Sequence, residues 1–405
     1  MPSTGAGSAC EIVRPLSQKL APHVVPTAAG IALGTAVGYN IANVGPAAQV
    51  VSHAYGVRLG TIGFLTTALF VTHLVMQIPG GRLVDRRGAR NLGILALGVI
   101  AVGNILALLV GSFAMALVGR LIAGIGTGIG FVAGSDYVRA TVGSPAAQGL
   151  YGAAGVGGGG LAIAIVPVTT PLFDWRAPYV TALVAAGAVL LSLPFAPGDR
   201  HKGERVERVS RASTFEIVRD RRLHPLAVAH TASFGLSVIA GNWAVSLLQH
   251  DGYGRRLAGA VAALTLLGGF VTRPFGGRAL QRWGAGAAWL IGASMVAGAA
   301  GTVLLLLDLP LWARIVGAAV LGLAAGIPFA AAFNGAQVIR RDAPGAAIGF
   351  INSCATLLIA AGAPLVGVTF SLPGHGRLGF AAMAALWALA TVAVRPSRLP
   401  ALDSG

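Results

Sequence analysis

The chain has 405 residues, 55% of them hydrophobic and only 10% charged, and its mean hydropathy is +0.76. A soluble domain carries roughly 25% charged residues, so most of this chain is not built to meet water. The net charge of +16 does not point to nucleic acid, because the basic residues sit in short stretches between apolar runs and not on one face of a soluble domain.

An apolar run of about 20 residues can cross a bilayer as a helix, and the chain offers a series of them. The first 23 residues are polar and lead into a predicted helix over 24–50, with no small-residue cleavage site at its end, so an uncleaved first span is expected. Further helices are predicted over 60–80, 91–111, 113–135, 147–170 and 177–197. A polar segment at 198–223 follows, rich in arginine; its second part, Thr214 to Leu223, can form an amphipathic surface helix or remain a plain solvated linker. The remaining helices are predicted over 226–249, 257–276, 286–307, 312–337, 346–371 and 378–394, twelve in all.

With the N-terminus placed inside, 21 Lys and Arg residues face the cytoplasm and 6 face out, so both termini are expected on the cytoplasmic side of the cell membrane. Cys10 and Cys354 are the only cysteines, which leaves neither a disulfide framework nor a thiolate metal site. The histidines show no metalloprotease spacing, and no nucleophile elbow or paired carboxylates occur. No enzyme activity, metal or cofactor is expected.

The most punctuated stretch runs from Pro79 to Arg90, a charged turn between two apolar runs, in which Gly80, Gly81 and Gly88 can bend where a side chain would clash. Gly276-Gly277-Arg278-Ala279-Leu280-Gln281-Arg282 repeats it 196 positions later, with Gln281 where the first copy has Asp85. A second pair, Gly124 to Phe131 against Gly322 to Phe329, recurs at a similar offset. Two halves with matching punctuation mean an internal duplication. The expected units are 1–197, a linker at 198–223, and 224–405.

The run Gly81-Arg82-Leu83-Val84-Asp85-Arg86-Arg87-Gly88-Ala89-Arg90 resembles the loop between helices 2 and 3 of the major facilitator superfamily, whose pattern is Gly-x-Leu-x-Asp-Arg-x-Gly-x-Arg. The resemblance implies an all-α integral membrane fold of twelve helices in two pseudo-symmetric six-helix bundles, a transporter working by alternating access. It also implies a gating role for Gly81, Asp85, Arg86, Gly88 and Arg90, with Gly277 and Arg282 in the second copy. Arg120 opens a run to Gly128 that resembles the family's helix-4 motif, where a structural or gating role competes with substrate contact.

Thr272-Arg273-Pro274-Phe275-Gly276-Gly277 looks like the helix-8 sequence of the nitrate/nitrite porter branch, in which the arginine binds the anion. That branch has a partner arginine on helix 2; the matching residue here is Gln77, at the same offset of 196 from Arg273. Every acidic residue, Asp136 included, is placed at a loop, helix end or tail, which disfavours a cationic substrate. The expectation is therefore a small inorganic or carboxylate anion, anchored by Arg273 with Gln77 opposite. The competing reading has Arg273 snorkelling to the cytoplasmic face.

Tyr39, Asn43, Tyr151, Asn242 and Asn334 are further candidates for substrate contact, against helix–helix hydrogen bonding as their default use. His73 and His230 are the candidate proton carriers. The run Gly157 to Gly160 allows close helix approach, and the absence of the exporter signature Gly-Pro-x-x-Gly-Gly tilts the reading towards uptake or exchange. The alternative is an exporter of neutral or hydrophobic compounds, and a third reading is a non-transporting membrane sensor. The expected partners are an anionic small molecule and membrane lipid, with no nucleic acid, and a monomer is expected.

Overall fold

The computed structural model describes residues 16–142, 145–198, 214–283, 287–340 and 344–394. Among them every regular element is helical. Nine stretches are long and apolar enough to cross a bilayer, and two shorter apolar segments, Leu59–Val75 and Arg377–Ala393, accompany them. One of the nine, Gly149–Phe195, is bent at Asp174–Arg176 into two helices. The protein is a multi-pass membrane protein.

The first predicted helix is shorter than its apolar run. α1 (Leu16–Ala42) stops before Pro46, and a turn over Gly45–Ala47 leads into α2 (Ala48–Ala54). The second run breaks in the middle, giving α3 (Gly63–Val75) and α4 (Gln77–Arg87). Pro79 accounts for the break: it lacks the N–H that the Val75 carbonyl would accept, and its ring crowds that carbonyl. Gly88, at φ +84°, ends α4 in a conformation few side chains adopt, and its N–H bonds to the Val84 carbonyl. The chain then turns directly into α5 (Ala89–Leu109), where Arg90 donates to the Ala196 carbonyl at 2.8 Å.

α6 (Phe113–Thr141) and α7 (Pro145–Phe173) follow, then α8 (Ala177–Ser192). α6 runs past its predicted end at 135 and carries Asp136 inside the helix, buried at 8% exposure. Asp136 is thus a buried carboxylate and not a loop residue, which corrects the sequence reading. Between the two halves of the chain, residues 199–213 lie outside the described set. A short helix, α9 (Thr214–Arg219), buries Ile217, and Arg219 covers the Phe215 ring at 4.1 Å. The hydrogen-bonded guanidinium of Arg222, 2.7 Å away, holds the Asp220 carboxyl below the usual carboxylate range.

In the second half, α10 (His224–His230) continues through a wide π-type turn over Thr231–Leu236 into α11 (Ser237–His250). Then come α12 (Arg255–Trp283), α13 (Ala287–Leu306), α14 (Leu311–Ile339), α15 (Pro344–Thr369) and α16 (Arg377–Ala393). α6 and α14 have 29 residues each, and the packing repeats as well. A Cβ on Gly124 would meet the Leu69 carbonyl at 2.2 Å, and one on Gly322 the Leu264 carbonyl at 2.0 Å. One turn on, Gly128 faces the His73 carbonyl at 2.7 Å and Gly326 the Gly269 carbonyl at 2.8 Å. The glycines that recur in the sequence thus make matching close helix contacts that leave no room for a side chain.

At the end of the molecule opposite the α4–α5 turn, Arg314 is fully buried in the first turn of α14. A cation at a helix N-terminus is disfavoured by the dipole, and the surroundings compensate. Arg314 bonds to Asp251 and, at 3.0 Å, to Asp308, and Asp251 also takes Arg377 at 2.7 Å. The cluster pins the α11–α12 and α13–α14 connections to the start of α16. Arg314→Ala should lower stability by about 1–3 kcal/mol, because Asp251 keeps Arg377 but one of its oxygens loses a buried, charged partner. Asp308→Ala, at an exposed position, should cost about 0–1 kcal/mol. Thermal unfolding in detergent reads the difference, and equal small effects would show that the cluster holds nothing together.

Candidate functional site

α1 ends early because its last carbonyls have another partner. Arg120 of α6, 1% exposed, donates to the carbonyls of Asn40 at 2.8 Å, Leu65 at 3.2 Å and Ile41 at 3.3 Å, and to Asn43 Oδ1 at 2.9 Å. The guanidinium fork thus serves as a side-chain cap for orphaned carbonyls at the helix end. Asn43 in turn donates to the Pro178 carbonyl at 2.8 Å. Arg120 and Asn43 are engaged in this network and do not line the central cavity described below.

The capped end of α1 reaches across to the second half of the chain. Gly45 lies so close to α11 that a Cβ there would meet Asn242 Oδ1 at 2.2 Å, and Thr66 donates to the same oxygen at 3.4 Å. Beside it, Thr67 donates to the Ala360 carbonyl at 2.5 Å, and Gly63 and Gly60 pack on Pro364 and Gly367 of α15. Backbone meets backbone here, and this end of the molecule is shut. Asn242 belongs to that seal and not to the cavity.

Towards the α4–α5 end, a central cavity lies between α1, α3, α6 and α7 of the first half and α10, α12, α14 and α15 of the second. Its wall is mostly rings and glycine, with His73, Tyr151, His230, Arg273 and Asn352 as its polar members. Its volume is about 40 Å³, room for a few water molecules. A larger solute is admitted only when the walls part.

Arg273, 5% exposed, sits on that wall and bonds to the Gly152 carbonyl of α7. Its guanidinium carbon lies 4.0 Å from the centre of the Phe329 ring, and the same ring fills the notch left by the missing side chain of Gly152, whose Cβ would be 2.6 Å away. Arg273 therefore faces inward and does not snorkel to the surface. Its contacts with Gly152 join the second half of the chain to the first.

Gln77 is not opposite it. Four residues along from His73 and on the same helix face, Gln77 donates its amide to His73 Nε2 at 2.8 Å. That bond puts the ring proton on Nδ1, which donates to Thr127 Oγ1 at 3.1 Å, and Thr127 donates to the Gly124 carbonyl. His230 stacks on Phe234 with centroids 5.5 Å apart and lies against Phe329 and Phe333. Tyr151 lines the cavity with its hydroxyl tied to the Phe131 carbonyl at 2.7 Å. Tyr39 is buried in the core and Asn334 is exposed on α14, and neither lines the cavity.

Of the residues expected to gate, Gly88 and Arg90 form the α4–α5 turn, and Arg282 is exposed near the end of α12. The side chains of Asp85 and Arg86, and the surroundings of Gly81 and Gly277, lie outside the described residues. Phe329 and Gly152, the pair that bridges the two halves, carry no polar signal in the sequence. The only hint of them is that each falls in a glycine-punctuated run.

A family model described as Major Facilitator Superfamily matches residues 30–363. No curated protein matches the chain. Among solved structures, a D-xylose–proton symporter superposes with a TM-score of 0.74 over 94% of this chain and 98% of that one, at 13% identity. At that identity the likeness is one of fold.

These findings overturn the anion expectation. The superposed symporter is named for an uncharged sugar. Within this chain the paired anion site is not assembled, because Gln77 is bonded to His73 and the Arg273 guanidinium is turned onto the Gly152 carbonyl and the Phe329 face. An anionic partner is set aside with it.

If Arg120 is a cap, Arg120→Ala leaves several carbonyls unpaired and should destabilise the fold by roughly 1–3 kcal/mol for each buried group stranded. Arg120→Lys, lacking the fork, should recover only part. Thermal unfolding distinguishes this from a substrate contact, for which stability would be unchanged.

Proposed function

The chain belongs to the Major Facilitator Superfamily, and from that premise we propose a secondary transporter that works by alternating access on a small, uncharged and largely apolar compound. The cavity wall carries this reading. Among the described lining residues there is no carboxylate, and the one guanidinium already has a carbonyl and an aromatic face for partners. A cationic solute would find no carboxylate there and would meet the positive charge of Arg273, whereas an uncharged solute gives up little hydration against rings and glycines. The uncharged cargo for which the D-xylose–proton symporter is named agrees in charge class.

The architecture we assign to this activity is twelve spans in two six-helix bundles, residues 1–197 and 224–405, joined by 198–223. Equal lengths of α6 and α14 and their repeated glycine contacts support it. The excess of 21 cytoplasmic over 6 external basic residues supports cytoplasmic termini. On that orientation the sealed end is extracellular, and Arg273 with Gly152 and Phe329 forms the cytoplasmic-side latch. The turn from Gly81 to Arg90, with Gly277 and Arg282 in the second copy, is assigned to holding the same side. For proton coupling we assign His73 over His230. His230 shares its rings with Arg273, where a second positive charge is repelled, whereas Gln77 can present its amide oxygen to a protonated His73.

Reconstitution into proteoliposomes tests the cargo class. A labelled panel running from pentoses to small aromatic alcohols should show saturable flux that millimolar nitrate, formate and acetate do not inhibit. Flux of those anions without movement of any uncharged compound would contradict the reading.

A further inference from the structure

Two buried nitrogens in the cavity wall have no hydrogen-bond partner, His230 Nδ1 and Arg273 Nε. Their residues are 1% and 5% exposed. Buried polar groups are paired in folded proteins almost without exception, so two orphans in one wall call for a hydroxyl there, a water's in the small cavity or a solute's when the walls part. The polarity of each is set by its other contacts. His230 Nε2 donates to Asn352 Oδ1 at 3.4 Å, which leaves Nδ1 as an acceptor. Arg273 Nε is always a donor.

One acceptor and one donor are the complement of a hydroxyl, which gives one hydrogen bond and receives another. Both groups also flank the same two rings. Phe234 lies 16° from parallel with His230 and 5.6 Å from the Arg273 guanidinium carbon. Phe329 lies 5.9 Å from His230 and 4.0 Å from Arg273. Rings placed this way favour a flat aromatic guest over an aliphatic one of equal size. The movable wall that would make room for it is Phe329, which rests in the Gly152 notch against Arg273 and Phe333 with no hydrogen bond to hold it.

We propose that the central cavity recognises a phenol: an uncharged aromatic compound whose hydroxyl donates to His230 Nδ1 and accepts from Arg273 Nε while its ring lies against Phe234 and Phe329. A phenol remains neutral at physiological pH, as a tyrosine side chain does. The inference rests on the reading of this cavity as the site of an uncharged cargo and adds the chemical class.

The test is thermal unfolding of the full-length protein in detergent, titrated with p-cresol, toluene, 4-methylcyclohexanol and benzoate. p-Cresol should act at concentrations about tenfold below toluene, the cost of leaving one buried hydrogen-bonding group unmet. It should likewise outdo 4-methylcyclohexanol, and benzoate should be inert. His230→Phe keeps a ring and removes the acceptor, so p-cresol should fall to parity with toluene. Arg273→Lys, which has no Nε, should do the same and serves if the first variant does not fold. Parity of p-cresol with toluene in the unaltered protein would overturn the hydroxyl assignment while leaving an uncharged cargo standing. Parity with 4-methylcyclohexanol would overturn the aromatic part. Stabilisation by benzoate alone would overturn both this inference and the proposed cargo. Inertness of all four would overturn the inference only, with flux in proteoliposomes deciding the transport reading.

Discussion

A guanidinium inside a membrane-spanning bundle must be satisfied by the protein, because hydrocarbon offers it nothing. Arg273 is held by groups from both halves of the chain, the Gly152 carbonyl on α7 and the Phe329 ring on α14. Those two partners also touch each other, since the ring occupies the space a Gly152 side chain would fill. One buried charge thereby fixes the relative position of three helices at the level of the cavity. The arrangement can be lost in one step, as the ring leaves its notch. It is the kind of two-state contact a transporter needs at a gate.

The opposite end is closed by different physics. There the seal is backbone on backbone, through Gly45, Gly60 and Gly63 against α11 and α15, and Arg120 supports it by taking up the carbonyls that α1 exposes where it stops. A wide small-residue contact of this kind separates by sliding or tilting whole helices. Beyond that seal, the central cavity has room for a few waters.

Much of the helical layout was legible in the sequence because apolar length and glycine punctuation are local signals. The offset of 196 that links Gln77 to Arg273 reappears in the carbonyls that Gly128 and Gly326 touch, those of His73 and Gly269. What was not read was the four-residue spacing of His73 and Gln77, which makes Gln77 a donor to His73 and not a partner of Arg273. Pro274 does not break α12 although Pro79 breaks its counterpart, so identical punctuation in a duplicated chain need not give identical structure. Asp136 was misplaced because α6 outruns its apolar stretch by several residues, and helix ends are the least legible feature of a sequence. The Arg314 cluster escaped notice for a related reason: charges near the ends of spans look like solvated loop residues until the connections fold over them.

Spin labels on paired cysteines measure the latch directly. One pair, at positions 87 and 338, spans the two halves at the α4–α5 end, and the other, at 53 and 250, spans the cleft at the sealed end. Gly152→Val places side-chain atoms where the Phe329 ring rests and should release it. The account predicts that the 87–338 distance lengthens in this variant while the 53–250 distance stays as it was. No change at 87–338, or both distances lengthening together, would contradict it.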